Sequence, residues 1–252
     1  MFLNISLVSF LFIPNSFSYS EEINSKYGES PTIDGYINIS TQEWNTAKKI
    51  QVLLNDLPIN LWVMNNDEYL YISVQLDLEP AAHNSSEFVG VKLSNTTSEN
   101  SDDFMDAKIL QFSNISGGKF QYFDLYINDS IYINDTLSSG HGAAKLEGIT
   151  STYEFSIPIN EINKSNEDAI LEHGKTSAFM IIYGVSPYYP SGVRKSIIIL
   201  INIEPISTKT PQFINAALFF LVIIIFCILG VFYSFYIYKI FRLKDKIERI
   251  KR

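Results

Sequence analysis

The stretch Tyr69-Leu70-Tyr71-Ile72-Ser73-Val74-Gln75-Leu76-Asp77 decides the fold class. Leu70, Ile72, Val74 and Leu76 fall on one side, and Tyr69, Tyr71, Ser73, Gln75 and Asp77 on the other. Successive side chains of a strand point to opposite faces, so this period of two predicts a strand half-buried against a core. Asn65-Asn66-Asp67, just before it, has the residue types of a hairpin turn. Strand-like runs recur on both sides, at Lys49–Leu54, Ile59–Met64, Glu87–Leu93, Ala107–Phe112, Lys119–Ile127, Ser151–Ile157, Ser177–Val185 and Arg194–Ile203. Loops rich in Asn, Asp, Ser and Gly separate them, and only Ile159–Leu171 hints at a short helical turn. Many strands at short spacing with almost no helix predict an all-β domain, an antiparallel two-sheet β-sandwich.

The two ends of the chain are of a different kind. Phe213–Tyr238 is a nearly unbroken apolar run with no polar face between Ala216 and Tyr233. One membrane-crossing helix needs roughly 20 apolar residues, and the run supplies them. Tyr233, Tyr236 and Tyr238 at its exit suit the headgroup level, and Lys239, Arg242, Lys244 and Lys246 follow. Positive charge marks the cytoplasmic side, which predicts a single-pass chain with everything before Phe213 outside and 239–252 as a basic inner tail. Ile240, Leu243, Ile247 and Ile250 repeat at helical spacing, so the helix is expected to continue along the inner leaflet. A weak homodimer through Gly230 and Ser234, at small-xxx-small spacing, is the alternative. Residues 1–20 read as a signal peptide: a short apolar segment precedes Ser18-Tyr19-Ser20, with small residues at −3 and −1 of a cleavage site. No Lys or Arg stands near Met1, which leaves an uncleaved anchor as the other reading. Residues 206–212 read as a short stalk, which leaves 21–205 for the β domain.

Charge narrows the function classes. The tail from Lys239 holds seven Lys or Arg against Asp245 and Glu248, a net of +5, and the whole chain is −8, so the remainder is −13. Nucleic-acid affinity comes from neutralising phosphates, and a domain this acidic excludes it as a partner. The one cysteine, Cys227, lies in the apolar run, so no disulfide is expected in the β domain. A domain of this size can rely on its core instead. Beyond residues 1–20, seven Asn-X-Ser/Thr sequons, at Asn38, Asn84, Asn95, Asn114, Asn128, Asn134 and Asn163, are candidate glycosylation sites and none falls in the tail.

An ordered set of short motifs carries a resemblance. Pro31-Thr32-Ile33-Asp34-Gly35 is followed by Glu43-Trp44 and Ala47, then by Asn66-Asp67-Glu68-Tyr69-Leu70-Tyr71. Asp124-Leu125-Tyr126, Tyr153-Glu154-Phe155-Ser156-Ile157-Pro158 and Tyr188-Tyr189-Pro190 with Ser196 come next. Taken in order, from Pro31 to Glu204, these resemble the family 9 carbohydrate-binding modules and their DOMON-like relatives. The resemblance implies a sandwich fold and a ligand that is a sugar, a haem or nothing small, since fold alone does not set function. Gly35 after Asp34 is read as a tight turn. Trp44 is read as a plug at one end of the sandwich, its N–H satisfied locally.

In that family the sugar lies between aromatic rings. Tyr188 and Tyr189 are the first candidates, with Arg194 and Asp124 as polar partners and Trp62 as a further ring; the alternative for the tyrosines is a packed edge pair. Calcium is the second ligand the resemblance implies, and Glu99, Asp102, Asp103 and Asp106 would supply hard oxygens, a solvated acidic turn being the alternative. A haem would need Met64, Met105 or Met180 with His83, His141 or Lys92. No His-Glu-x-x-His, Gly-x-Ser-x-Gly or Walker pattern occurs, so catalysis has little support. The expectation is a membrane-anchored module that binds polysaccharide or a glycoprotein, with a haem-holding redox domain or a purely structural surface protein as alternatives.

Overall fold

The structure is a computed structural model that describes residues 21–38, 40–78, 87–97, 103–113, 119–160, 167–185, 193–205 and 212–250. The chain divides between Ile206 and Ser207 into two compact units. The first unit is two β-sheets. One holds eight strands: β1 (Glu21–Asn24), β14 (Ile199–Asn202), β12 (Thr176–Gly184), β6 (Phe88–Ser94), β7 (Asp106–Ser113), β8 (Lys119–Asn128) and β9 (Ile131–Asn134) run in that order, with β13 (Arg194–Lys195) also on β12. The six-stranded sheet runs β10 (His141–Glu147), β11 (Thr150–Pro158), β5 (Tyr69–Asp77), β4 (Leu57–Asn65) and β2 (Lys26–Tyr27), with β3 (Lys48–Leu54) also on β4. The sandwich is therefore present, but its sheets are mixed rather than wholly antiparallel. β1 runs parallel to β14 and β2 parallel to β4, because two short leading strands enter at existing edges in the direction of their hosts.

β5 spans the nine residues read from the alternation. Leu70, Ile72, Val74 and Leu76 are all 0% exposed and join Leu61, Val63, Val89, Val91, Phe155, Phe179 and Ile181 in the core between the sheets. Burying each such side chain is worth roughly 1.5–3 kcal/mol, so this seam dominates the favourable side of folding. The Asn66 turn is held by its own carboxamide, whose Oδ1 accepts the Glu68 and Tyr69 N–H groups at 2.9 and 2.7 Å. The eight-stranded sheet is apolar on its other face too, where Phe88, Phe104, Ile109, Leu125, Met180 and Ile182 form a second buried layer. Among the described residues of 159–171 no helical turn is found; Ile159 and Asn160 follow β11, and Ala169 and Leu171 are buried on either side of an exposed Ile170. The second unit is one uninterrupted helix, α1 (Gln212–Ile250), of which Phe219–Lys244 is long and apolar enough to cross a membrane.

Candidate functional site

The outward face of the six-stranded sheet is set by the same alternation that fills the core. Register places Lys49, Trp62, Ser73 and Glu154 side by side across β3, β4, β5 and β11. Gln51, Asn60, Gln75 and Thr152 form the neighbouring row, and Met64 beside Tyr71 belongs to the row on the other side. The segment between β2 and β3 folds back over this face. Glu154 ties it down by accepting the Asp34 and Gly35 N–H groups at 3.0 and 2.8 Å. Gly35 is needed there: its φ is +80°, and a Cβ would stand 2.5 Å from the Ala144 carbonyl carbon. Glu43 braces the segment from within, accepting the Thr32 and Asn38 N–H groups at 3.3 and 3.2 Å.

Between segment and sheet lies a cavity of about 300 Å³ lined by Ile37, Asn38, Gln42, Trp44, Asn45, Lys49, Trp62 and Gln75. Trp44 is buried against Met64 and Tyr71, while Trp62 is half-buried. The Lys49 ammonium stands 4.5 Å from the centre of the Trp62 ring, within cation–π range. Gln75 donates from Nε2 to Thr152 Oγ1 at 3.4 Å. Two indoles with carboxamides around them form a chemistry suited to a small polar ligand with an apolar face, and the volume is at the small end of ordinary ligand sites. Three buried polar atoms nearby lack a hydrogen-bond partner: Trp44 Nε1, Ser73 Oγ and Glu154 Oε1. Burial holds the Glu154 carboxyl up at about 7, against the pull of the two backbone N–H groups.

A second polar cluster is enclosed at the core-facing side of β7 and β8. The Lys108 ammonium is 1% exposed and meets Asp124, Asp168 Oδ1 at 2.5 Å and Asp106 Oδ1 at 3.2 Å. The three carboxylates offer oxygens within 4.8 Å of one another. Asp106 Oδ2 accepts the Ala169 N–H at 3.0 Å, and Asp124 Oδ2 accepts that of Ser139 at 2.5 Å. Burial raises the Asp106 carboxyl to about 7 and outweighs the attraction of Lys108. Asp135 is pushed up to about 8, first by desolvation and then by the charge of Asp124.

These placements redistribute the residues singled out in the sequence. Trp62 lies at the cavity. Tyr188 and Tyr189 lie outside the described residues, and Arg194 is an exposed residue of β13 paired with Tyr183. Asp124 is bound to Lys108, enclosed beneath the sheet. Of the acidic loop, Glu99 and Asp102 lie outside the described residues, Asp103 is exposed, and Asp106 turns inward to Lys108 instead of joining it. Trp44 covers the outer face of the six-stranded sheet rather than an end of the sandwich, and its N–H is unsatisfied. Met64 is buried beneath it, and His141 is exposed with Nδ1 2.7 Å from Ser156 Oγ. Met180 and Lys92 face each other across β12 and β6. Lys92 stacks on Phe104 and Tyr132, Met105 is half-buried, and His83 lies outside the described residues. Asn38 lines the cavity, Asn95, Asn128 and Asn134 are exposed, and Asn84, Asn114 and Asn163 lie outside the described residues.

The cavity residues that reasoning from sequence missed are Asn38, Gln42, Asn45, Lys49 and Gln75. The one signal for them was Gln75, on the polar side of the strand that decides the fold. No protein-family model matches the sequence, and no curated protein does. The chain is similar to solved structures of a family 9 carbohydrate binding module from Caldicellulosiruptor kristjanssonii. The module in complex with cellotriose is 12% identical with a TM-score of 0.41, over 75% of this chain and 96% of that one. The module in complex with glucose is 14% identical with a TM-score of 0.40, over 75% and 98% respectively.

Proposed function

We propose that this chain is a membrane-anchored binding module that holds a carbohydrate in the cavity between Trp44 and Trp62. The observation that carries the reading is the lining itself: two indoles and the side-chain amides of Asn38, Gln42, Asn45 and Gln75 around about 300 Å³. A pyranose presents an apolar C–H face to an aromatic ring and a rim of hydroxyls that both donate and accept, and carboxamides answer both roles. Among the described residues that line it there is no carboxylate or histidine, so they do not supply the pair of acids that glycosidic cleavage requires. That supports retention of the sugar without chemistry. The apolar helix supports a single-pass anchor, with the β domain on the side away from the basic tail.

A glycan array probed with the full chain in detergent micelles, beside Trp62→Ala, tests the reading. Wild type is expected to retain at least one glycan class that Trp62→Ala loses. Binding untouched by the substitution, or no binding by a folded wild type, would overturn it.

A further inference from the structure

Lys49 is the one charged residue among those that line the cavity. Its ammonium is held over the Trp62 ring at 4.5 Å, and among the described residues no carboxylate pairs with it. Other lysines of the β domain do have such partners: Lys26 with Glu204, Lys145 with Glu147 and Lys175 with Glu172. Glu43, in the overlying segment, has each carboxylate oxygen engaged by a backbone N–H, from Thr32 and Asn38. The domain as a whole is strongly acidic, yet this cavity presents a cation and neutral amides.

We infer that the ligand is an acidic sugar, a uronic-acid residue of a polysaccharide, whose ring stacks on Trp62 while its carboxylate pairs with Lys49. The inference rests on the carbohydrate reading above and names the class of sugar within it. The geometry favours this division of labour because Lys49 and Trp62 are direct cross-strand partners, so a ligand ring that takes the ammonium's place over the indole leaves Lys49 beside the ring's substituents. Amides around the ring take the hydroxyls. The acidity of the rest of the domain opposes an anion at long range, but screening at physiological salt cuts that off beyond about 8 Å. At the cavity the exposed Lys49 ammonium is the local charge, and a charge-assisted hydrogen bond to it is stronger than a neutral one.

Tryptophan fluorescence reads the site directly, because the chain has only two tryptophans and both line the cavity. The full chain in detergent micelles is titrated with oligogalacturonate, oligoglucuronate and oligomannuronate, with the methyl ester of each, and with neutral cello- and manno-oligosaccharides. One of the acids is expected to bind about ten-fold tighter than its own ester, and Lys49→Gln is expected to bring that ratio close to one while Lys49→Arg keeps it. Esters that bind as tightly as their acids, or a preference that survives Lys49→Gln, overturn the acidic-sugar inference and leave the carbohydrate reading standing. No response to any sugar, acidic or neutral, overturns both.

Discussion

Trp44 and Trp62 share one cavity but are held by different forces, and substitutions separate them. Trp44 is 4% exposed and packed on Met64 and Tyr71, so Trp44→Ala is expected to cost about 3–5 kcal/mol of stability. Trp62 is half-buried, so Trp62→Ala should cost clearly less in the same urea titration while abolishing sugar binding; equal losses of stability would remove the distinction. Lys108 poses the opposite problem, a charge wholly enclosed by acids. Truncating it as Lys108→Met leaves Asp106, Asp124 and Asp168 facing one another, and the loss expected is about 3–5 kcal/mol. That loss should be larger at pH 8 than at pH 5, since acidification neutralises the abandoned carboxylates. Wild type has a pH dependence of its own. Asp106 and Glu154 are held up at about 7 and Asp135 at about 8, whereas the unfolded chain releases these protons near 4. Between pH 4 and 8 the folded state therefore binds more protons, so stability falls as pH rises through that window and returns on acidification. The share of Asp135 is discounted, since solvent screens a half-exposed group. Lys108, pushed upward by its acidic neighbours, stays charged throughout and adds no slope. Urea midpoints of the β domain at pH 8, 7, 6 and 5 should climb by the equivalent of at least about 2 kcal/mol; a flat or falling series refutes the assignment.

Elements built on local patterning could be read from the sequence, and those built on distant partners could not. β5 coincides with the run from Tyr69 to Asp77, and β3, β7, β8, β11 and β12 fall within a residue or two of where apolar alternation put them. β1 and β2 were invisible, since what makes Glu21–Asn24 a strand is a ladder to Ile199–Asn202 at the far end of the domain. β10, with His141-Gly142-Ala143-Ala144, has too little β-branched or aromatic content to read as a strand, and its antiparallel register with β11 supplies what propensity lacks. The expected single strand Arg194–Ile203 is broken around Ser196, which bridges Leu54 while its N–H still donates to the Ile181 carbonyl of β12. The cavity was hidden for a related reason. Trp62 and Gln75 occupy outward strand positions that look solvent-facing until the segment after β2 folds over them, and Lys49 beside them stays exposed. Gly35 is where that segment touches the sheet, and Gly35→Ala would put a Cβ against the backbone of β10 at a positive φ. The expected outcome is a loss of about 2 kcal/mol or more, with sugar affinity falling alongside it as the cover lifts. Unchanged affinity in a destabilised Gly35→Ala protein would show that the cover does not shape the site.

At the scale of the whole molecule, charge and length sort the chain into regions that belong to different solvents. A helix of 39 residues is about 58 Å long, nearly twice the roughly 30 Å of a bilayer's hydrocarbon core. The stretch apolar enough to cross, Phe219–Lys244, takes in the first basic residues, Lys239 and Arg242, at its end, so the surplus is expected to continue as helix on the cytoplasmic side. On the proposed topology the net of −13 before the tail and the +5 within it would stand on opposite sides of the membrane. Cys227 makes the membrane claim testable without adding a label site, since it is the only thiol and lies on the surface of α1 within the apolar stretch. Alkylation by a polar maleimide needs both the thiolate and the reagent in water, and the hydrocarbon core admits neither. In intact membranes Cys227 should therefore resist a charged maleimide and react once SDS is added. Protease added to whole cells should remove the β domain in the same samples and leave a short protected fragment carrying the tail. Labelling of Cys227 before SDS would show that α1 does not span. A tail lost to external protease, with Cys227 still protected, would keep the span and reverse its orientation, placing the sugar cavity on the inner side where no cell-surface polysaccharide could reach it.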